Sequence, residues 1–186
     1  MPPFFCLKKR RSSLDEVGFW HGVTTFFTTP AFRNVVVGLG VFVAIVSVIS
    51  ARAIARKKQS ADLLFDSRTD KELVNGLRTL AKLHEDSSVN MRSFAQKEGK
   101  DKPEAEAIRY VLNHYEYVSV GVQSGIYDEK MLKKGSYNTV VKLYQRAKPY
   151  IECVREVSGR ATLYQEFQWL AKRWEDSPIV TKKKRR

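Results

Sequence analysis

The sequence predicts an all-α protein: an N-terminal transmembrane helix followed by a compact bundle of about four main helices. Three observations predict it. Residues 35–51, VVVGLGVFVAIVSVISA, carry no charged side chain. Beyond them, apolar residues recur at helical spacing in segment after segment. No segment alternates apolar and polar residues for a useful length, so no strand is expected.

Taken in order, residues 1–33 form a basic and aromatic arm. Lys8, Lys9, Arg10 and Arg11 open it, and residues 17–32 follow with Phe19, Trp20, Phe26 and Phe27. Ser13 and Glu16 match a capping box for an interfacial helix ending before Pro30. A re-entrant dip of 17–32 into the bilayer is the alternative, and the interfacial helix is favoured.

Residues 34–55 are the predicted transmembrane helix, about the 20 residues that a ~30 Å hydrocarbon core requires. A run apolar on every face has no solvent side, which argues against a buried helix of a soluble domain. A cleaved signal is disfavoured by the long stretch preceding the run. Arg52, Arg56, Lys57 and Lys58 then mark the headgroup level, where basic side chains snorkel. Gly40, Ala44, Ser47 and Ala51 fall on one stripe that would let a second copy approach closely, although small residues are also ordinary in such helices.

Residues 56–178 are the predicted helical domain. The membrane helix has no Pro or Gly to stop it between 52 and 66. Thr69 to Glu72 reads as a capping box opening the next helix, with Leu73, Leu77, Leu80 and Leu83 on one face. Residues 86–103 are polar and read as a loop holding a short helix near 91–97. Pro103, Glu104 and Glu106 start a helix whose Ile108, Val111, Leu112, Tyr115, Val118 and Val122 face inward and which ends at Gly125. A short turn from Asp128 is expected to close at Gly135. From Ser136 a long helix should bury Tyr137, Val140, Val141, Tyr144, Ala147, Ile151 and Val154, kinked at Pro149 and closed by Gly159. The last helix carries Leu163, Phe167, Leu170 and Trp174 on one face. Residues 179–186 form a basic tail.

The net charge of +13 is unevenly spread. Residues 1–58 hold nine Lys/Arg against Asp15 and Glu16, and Lys182–Arg186 add five more, while 59–181 are close to neutral. That distribution suits anionic lipid headgroups better than a nucleic-acid-binding fold, which carries its basic face on the domain. Basic clusters flank both ends of the apolar run, so the positive-inside count is a near tie. Both readings of the arm place the C-terminal domain in the cytoplasm. Cys6 and Cys153 make no disulfide framework or metal-ligand pattern.

No motif of catalytic strength is present: no P-loop, GxSxG, HExxH or dinucleotide fingerprint. Glu116, beside the apolar stripe in Asn113–Tyr117, is either a base with a raised pKa or a structural residue, and the structural reading is favoured. His84 and His114 could join it on a metal only with unpaired spacing, so neither a metal nor a cofactor is expected. A tyrosine-rich set suits both a core needing polar tips and a partner surface. The candidate interaction or polar-core residues are Glu116, Tyr115, Tyr127, Asp128, Trp169 and Trp174.

The string from Ala107 to Ile151 with YQEFQWLAKRW at 164–174, preceded by an ADLLFD helix at 61–66, resembles a bacterial and bacteriophage family of membrane-anchored proteins classed as a domain of unknown function. The likeness covers about residues 50–176 and is most specific at the Glu116 helix, the Gly125–Glu129 turn and the Pro149 helix. The long basic arm departs from the usual short leader. The resemblance implies a cytoplasmic helical domain anchored at the inner membrane and supplies no reaction. Its prophage members suggest an accessory role such as exclusion of competing phage. The leading expectation is a non-enzymatic protein–protein interaction module held at the membrane. The alternatives are a membrane-bound hydrolase using Glu116, and nucleic-acid binding through the tail.

Overall fold

The long apolar run begins at a proline for a simple reason: Pro30 has no N–H to lose at a first helical turn, and its fixed φ already suits the helix. In the computed structural model, which describes residues 29–179, helix α1 spans Pro30–Thr69, 40 residues. Thr29 caps it, its Oγ1 accepting from Phe32 N at 3.4 Å. The helix is long and apolar enough to cross a membrane. Its side chains from Val35 to Ile54 are exposed all round, and open space surrounds Gly40 on the small-residue stripe with Ala44, Ser47 and Ala51. The chain divides into two compact units, one ending at Arg52 and the other starting at Ala53. The arm residues Lys8, Lys9, Arg10 and Arg11, the interfacial or re-entrant stretch up to 28 and the tail from 180 lie outside the described residues.

Among its described residues the second unit contains helices and turns and no strand. α2 spans Lys71–Glu85, a 3-10 turn Met91–Ala95, α3 Pro103–Gln123, α4 Glu129–Ser158 and α5 Gln165–Asp176. The fold is therefore all-α, a long apolar helix followed by a helical bundle. Ile108, Val111, Leu112, Tyr115, Val118 and Val122 are all buried, as their spacing predicts. They pack with Leu73 and Leu80 of α2, Val140, Ala147 and Ile151 of α4, and Phe167, Leu170 and Trp174 of α5. α3 ends in a Schellman motif: Ile126 N donates to Gly121 O at 2.9 Å and Gly125 N to Val122 O at 3.1 Å, with Gly125 at φ 68°.

Two local expectations need correction. Gly135 does not end a short helix; α4 runs unbroken through it and through Pro149. A glycine lowers helix propensity by about 1 kcal/mol, which flanking burial outweighs. Leu132 and Val140 are both buried, and a Cβ at Gly135 would meet Leu64 Cδ2 of α1 at 3.0 Å. The glycine permits a close helix approach. Second, the cap of α2 is Asp70, whose carboxylate accepts from Leu73 N at 2.9 Å. Thr69 still belongs to α1, and its hydroxyl donates to Asp66 O at 3.1 Å. The end of α3 agrees with its expectation: the last helical residue is Gln123, and Gly125 closes the helix as the left-handed residue of the Schellman turn.

Candidate functional site

Glu116 sits on α3 one helical step from the buried Tyr115, on the edge that meets α5. α5 begins awkwardly. Its N-cap, Tyr164, is left-handed at φ 57° and makes no side-chain cap bond. The orphan amides of a helix start still need acceptors. Glu116 supplies them from another helix: Oε2 accepts from Phe167 N at 2.7 Å and Oε1 from Glu166 N at 3.4 Å. The negative carboxylate also suits the positive end of the helix dipole. Burial pushes the Glu116 pKa up, and the two amide bonds pull it back part of the way.

Around this junction the rings are packed. Tyr115 and Phe167 lie 5.6 Å apart by centroid, and Tyr144 meets Phe167 edge-on at 5.7 Å. Burial pushes the Tyr115 and Tyr164 phenols up to about 12, so both stay neutral. Arg155 ties the Gly159–Tyr164 connection down, donating to Leu163 O and Gln168 Oε1, each at 2.8 Å.

The other candidate residues divide between core and surface. Trp174 is fully buried, and its indole N–H donates to Glu129 at 3.2 Å beside the Glu129–Arg173 ion pair. Tyr115 is core as well. Asp128 caps α4, accepting from Met131 N at 2.9 Å. Tyr127 is half-buried, its ring over Gly121, where a Cβ would collide with Cε2. Trp169 stays on the surface, with the Arg173 guanidinium 5.4 Å over its ring. Tyr117 of α3, one of the tyrosine-rich set, is exposed too, as is Val120, which sequence reading did not single out. Nothing in periodicity distinguishes a surface tyrosine from a core one at the stripe's margin.

Two further clusters were missed. Ser67 of α1 approaches His114 Nε2 of α3 at 3.3 Å, with Asp70 nearby, so serine, histidine and aspartate share one junction. The polarity is wrong for a nucleophile. Ser67 donates its proton to Leu63 O at 2.7 Å, so it accepts from His114, and Asp70 serves Leu73 N and the Tyr110 hydroxyl. Ser60 is wholly buried; it donates to Arg56 O at 2.8 Å and accepts from Asp128 N at 2.7 Å, joining α1 to the start of α4. His84 is exposed in the last turn of α2, and the described residues contain no group of three His, Cys, Asp or Glu that could hold a metal.

A family model, Domain of unknown function (DUF4760), matches residues 34–174. The chain belongs to the DUF4760 family. The match begins within the apolar half of α1, so that helix is part of the DUF4760 unit and extends further toward the N-terminus than the resemblance read from 50 onward. It also takes in Glu116, the Gly125–Glu129 turn and Trp174, the residues that hold the DUF4760 bundle together. No curated protein and no solved structure matches this DUF4760 chain.

Proposed function

We propose that the protein is a membrane-tethered, non-enzymatic interaction module. α1 anchors it in the inner membrane, with the C-terminal domain in the cytoplasm and a protein partner on the bundle. The observation that carries this reading is the exposed seam of α3 and α5. Tyr117 is 75% exposed, Val120 43% and Trp169 37%, while Tyr110, two turns before Tyr117 on α3, is 39% exposed. Aromatic side chains at such a seam suit a partner contact. The engagement of both Glu116 oxygens by α5 amides supports a structural role for that carboxylate over a hydrolytic one. An accessory role at the host membrane, such as exclusion of competing phage, fits a tethered module of this kind.

In-cell photo-crosslinking of the full-length chain tests the reading. Probes at Tyr117 and Trp169 should each give the same discrete adduct, and a probe at Lys142, beside α2, should not. Val120→Asp should remove the adduct. An identical ladder from all three positions, or no discrete adduct, would overturn the proposal.

A further inference from the structure

α4 and α5 bound a cavity of about 450 Å³, with Tyr144, Lys148 and Arg155 on one wall and Gln168 and Lys172 on the other. Arg155 is the anchored member of this set. Its Nε donates to Leu163 O and its Nη1 to Gln168 Oε1, each at 2.8 Å. Its Nη2 is shielded from water and, among the described residues, is the one buried side-chain nitrogen or oxygen with no hydrogen-bond partner. Leaving a charged donor unpaired costs more than leaving a neutral one. The other polar groups here are mostly donors as well. Lys148 and Lys172 are exposed at the rim, and Lys172 has no carboxylate paired to it among the described residues. Burial raises the Tyr144 pKa, so its hydroxyl keeps its proton and can donate. Two carboxylates also line the cavity, and both have partners on α4. Glu175 accepts from Gln145 Nε2 at 2.8 Å, and Glu152 lies 3.8 Å from Lys148 Nζ. Three cations against two carboxylates leave the wall net positive.

We infer that this cavity binds a small phosphate-bearing anion, held by Arg155, Lys148, Lys172 and the Tyr144 hydroxyl. The size fits: sites for small molecules run to about 300–1,000 Å³. The chemistry favours phosphate over a simple carboxylate. Donors come from two helices, and a phosphate offers at least three acceptor oxygens where a carboxylate offers two. A guanidinium fixed by its Nε and Nη1 presents its remaining N–H groups in a rigid fork suited to phosphate oxygens. An acceptor that reaches the shielded Nη2 meets little competing water, which strengthens the bond. Glu152 and Glu175 keep the affinity modest. A bound anion would bridge α4 to α5 beside the Leu163 and Gln168 contacts that Arg155 already makes. The inference stands on this geometry alone and does not depend on the membrane or partner reading.

The test titrates the full-length chain, in a neutral detergent and at constant ionic strength, with inorganic phosphate and separately with acetate, followed by calorimetry. Phosphate should saturate one site per chain with a dissociation constant of about 0.1–10 mM. Acetate should bind at least about tenfold more weakly. Lys172→Gln and Tyr144→Phe should each weaken phosphate binding about fivefold to tenfold, the effect of one lost hydrogen bond. Arg155→Lys keeps the charge without the fork and should abolish saturation. Lys142→Gln, an exposed cation of α4 that does not line this cavity, should leave binding unchanged. Circular dichroism checks that each variant is folded. If Arg155→Lys does not fold, Lys172→Gln and Tyr144→Phe decide the matter. The inference is overturned if phosphate does not saturate, or if a folded Arg155→Lys binds like wild type. It also falls if Lys172→Gln and Tyr144→Phe both bind like wild type, or if Lys142→Gln weakens binding as much as Lys172→Gln, which would mean attraction by surface charge alone. Acetate binding as tightly as phosphate overturns the assignment to phosphate.

Discussion

The carboxylate of Glu116 accepts the backbone N–H of Phe167 at 2.7 Å across 51 residues of chain. α5 thus has its N-terminal acceptor on α3, and the two helices cannot separate without orphaning an amide. Tyr164 and Phe167 are both buried at this junction, so water is poorly placed to replace the bond.

Glu116→Ala should destabilise the fold by about 1–2 kcal/mol, the range for a lost helix cap. Glu116→Gln keeps an acceptor for Phe167 N and should lose less than half as much. Chemical denaturation of the two variants checks the order, and hydrogen exchange at Phe167 should rise in Glu116→Ala before the rest of α5 opens. Equal losses in both variants would mean that charge, rather than acceptance, holds the junction.

The pH dependence separates three groups. The folded pKa of Glu116 is raised, chiefly by burial, so its charged form disfavours the fold and that penalty is relieved as pH falls through the raised value toward 4.5. Asp70 is held low, first by the Leu73 amide and then by the Tyr110 hydroxyl, so its contribution is present above 3.8 and lost as pH falls toward its lowered value. His114 is lowered by burial, and its contribution is lost as pH falls below 6.5. Wild type should therefore gain on Glu116→Gln in mild acid, while His114→Gln should flatten the first decline below 6.5. Denaturation midpoints across pH read both; a decline unchanged by His114→Gln would assign it elsewhere.

Ser60→Ala leaves the Asp128 amide without its acceptor in a wholly buried position. A loss of about 1–3 kcal/mol follows, typical for a buried donor left unpaired. Faster exchange at Asp128 and Glu129, with α2 unaffected, would locate the effect at the joint between α1 and α4. Uniform loosening of the bundle would not fit.

Gly121→Ala should destabilise by roughly 1–3 kcal/mol, because the Tyr127 ring occupies the space the methyl needs. In a double-mutant cycle with Tyr127→Ala the added methyl should lose most of its effect. Additive losses would place the strain in the α3 backbone.

Trp174→Phe removes the indole donor to Glu129 but keeps most of the ring, whereas Trp174→Ala opens a cavity. Losses of about 1 kcal/mol and about 3–5 kcal/mol are expected. Unfolding curves followed by circular dichroism measure both, and near-equal values would contradict the packing role.

Much of this architecture is legible from local patterns. The apolar run around residues 35–51, the inward face from Ile108 to Val122 and the ends at Pro103 and Gly159 each follow from neighbouring residues alone. Helical periodicity and turn chemistry act within a few residues, so a single strand of text carries them. Packing between distant segments decided the rest. Gly135 reads as a stop until Leu64 of α1 lies against it, and Thr69 reads as a cap until α1 extends to include it. Sequence reading favoured a structural Glu116 but could not name its partners, because Glu166 and Phe167 stand 50 and 51 residues away. Ser60 was unremarkable until Asp128, 68 residues on, came within 2.7 Å. Burial and hydrogen-bond pairing at such separations are properties of the assembled bundle, and only its tertiary structure assigns them.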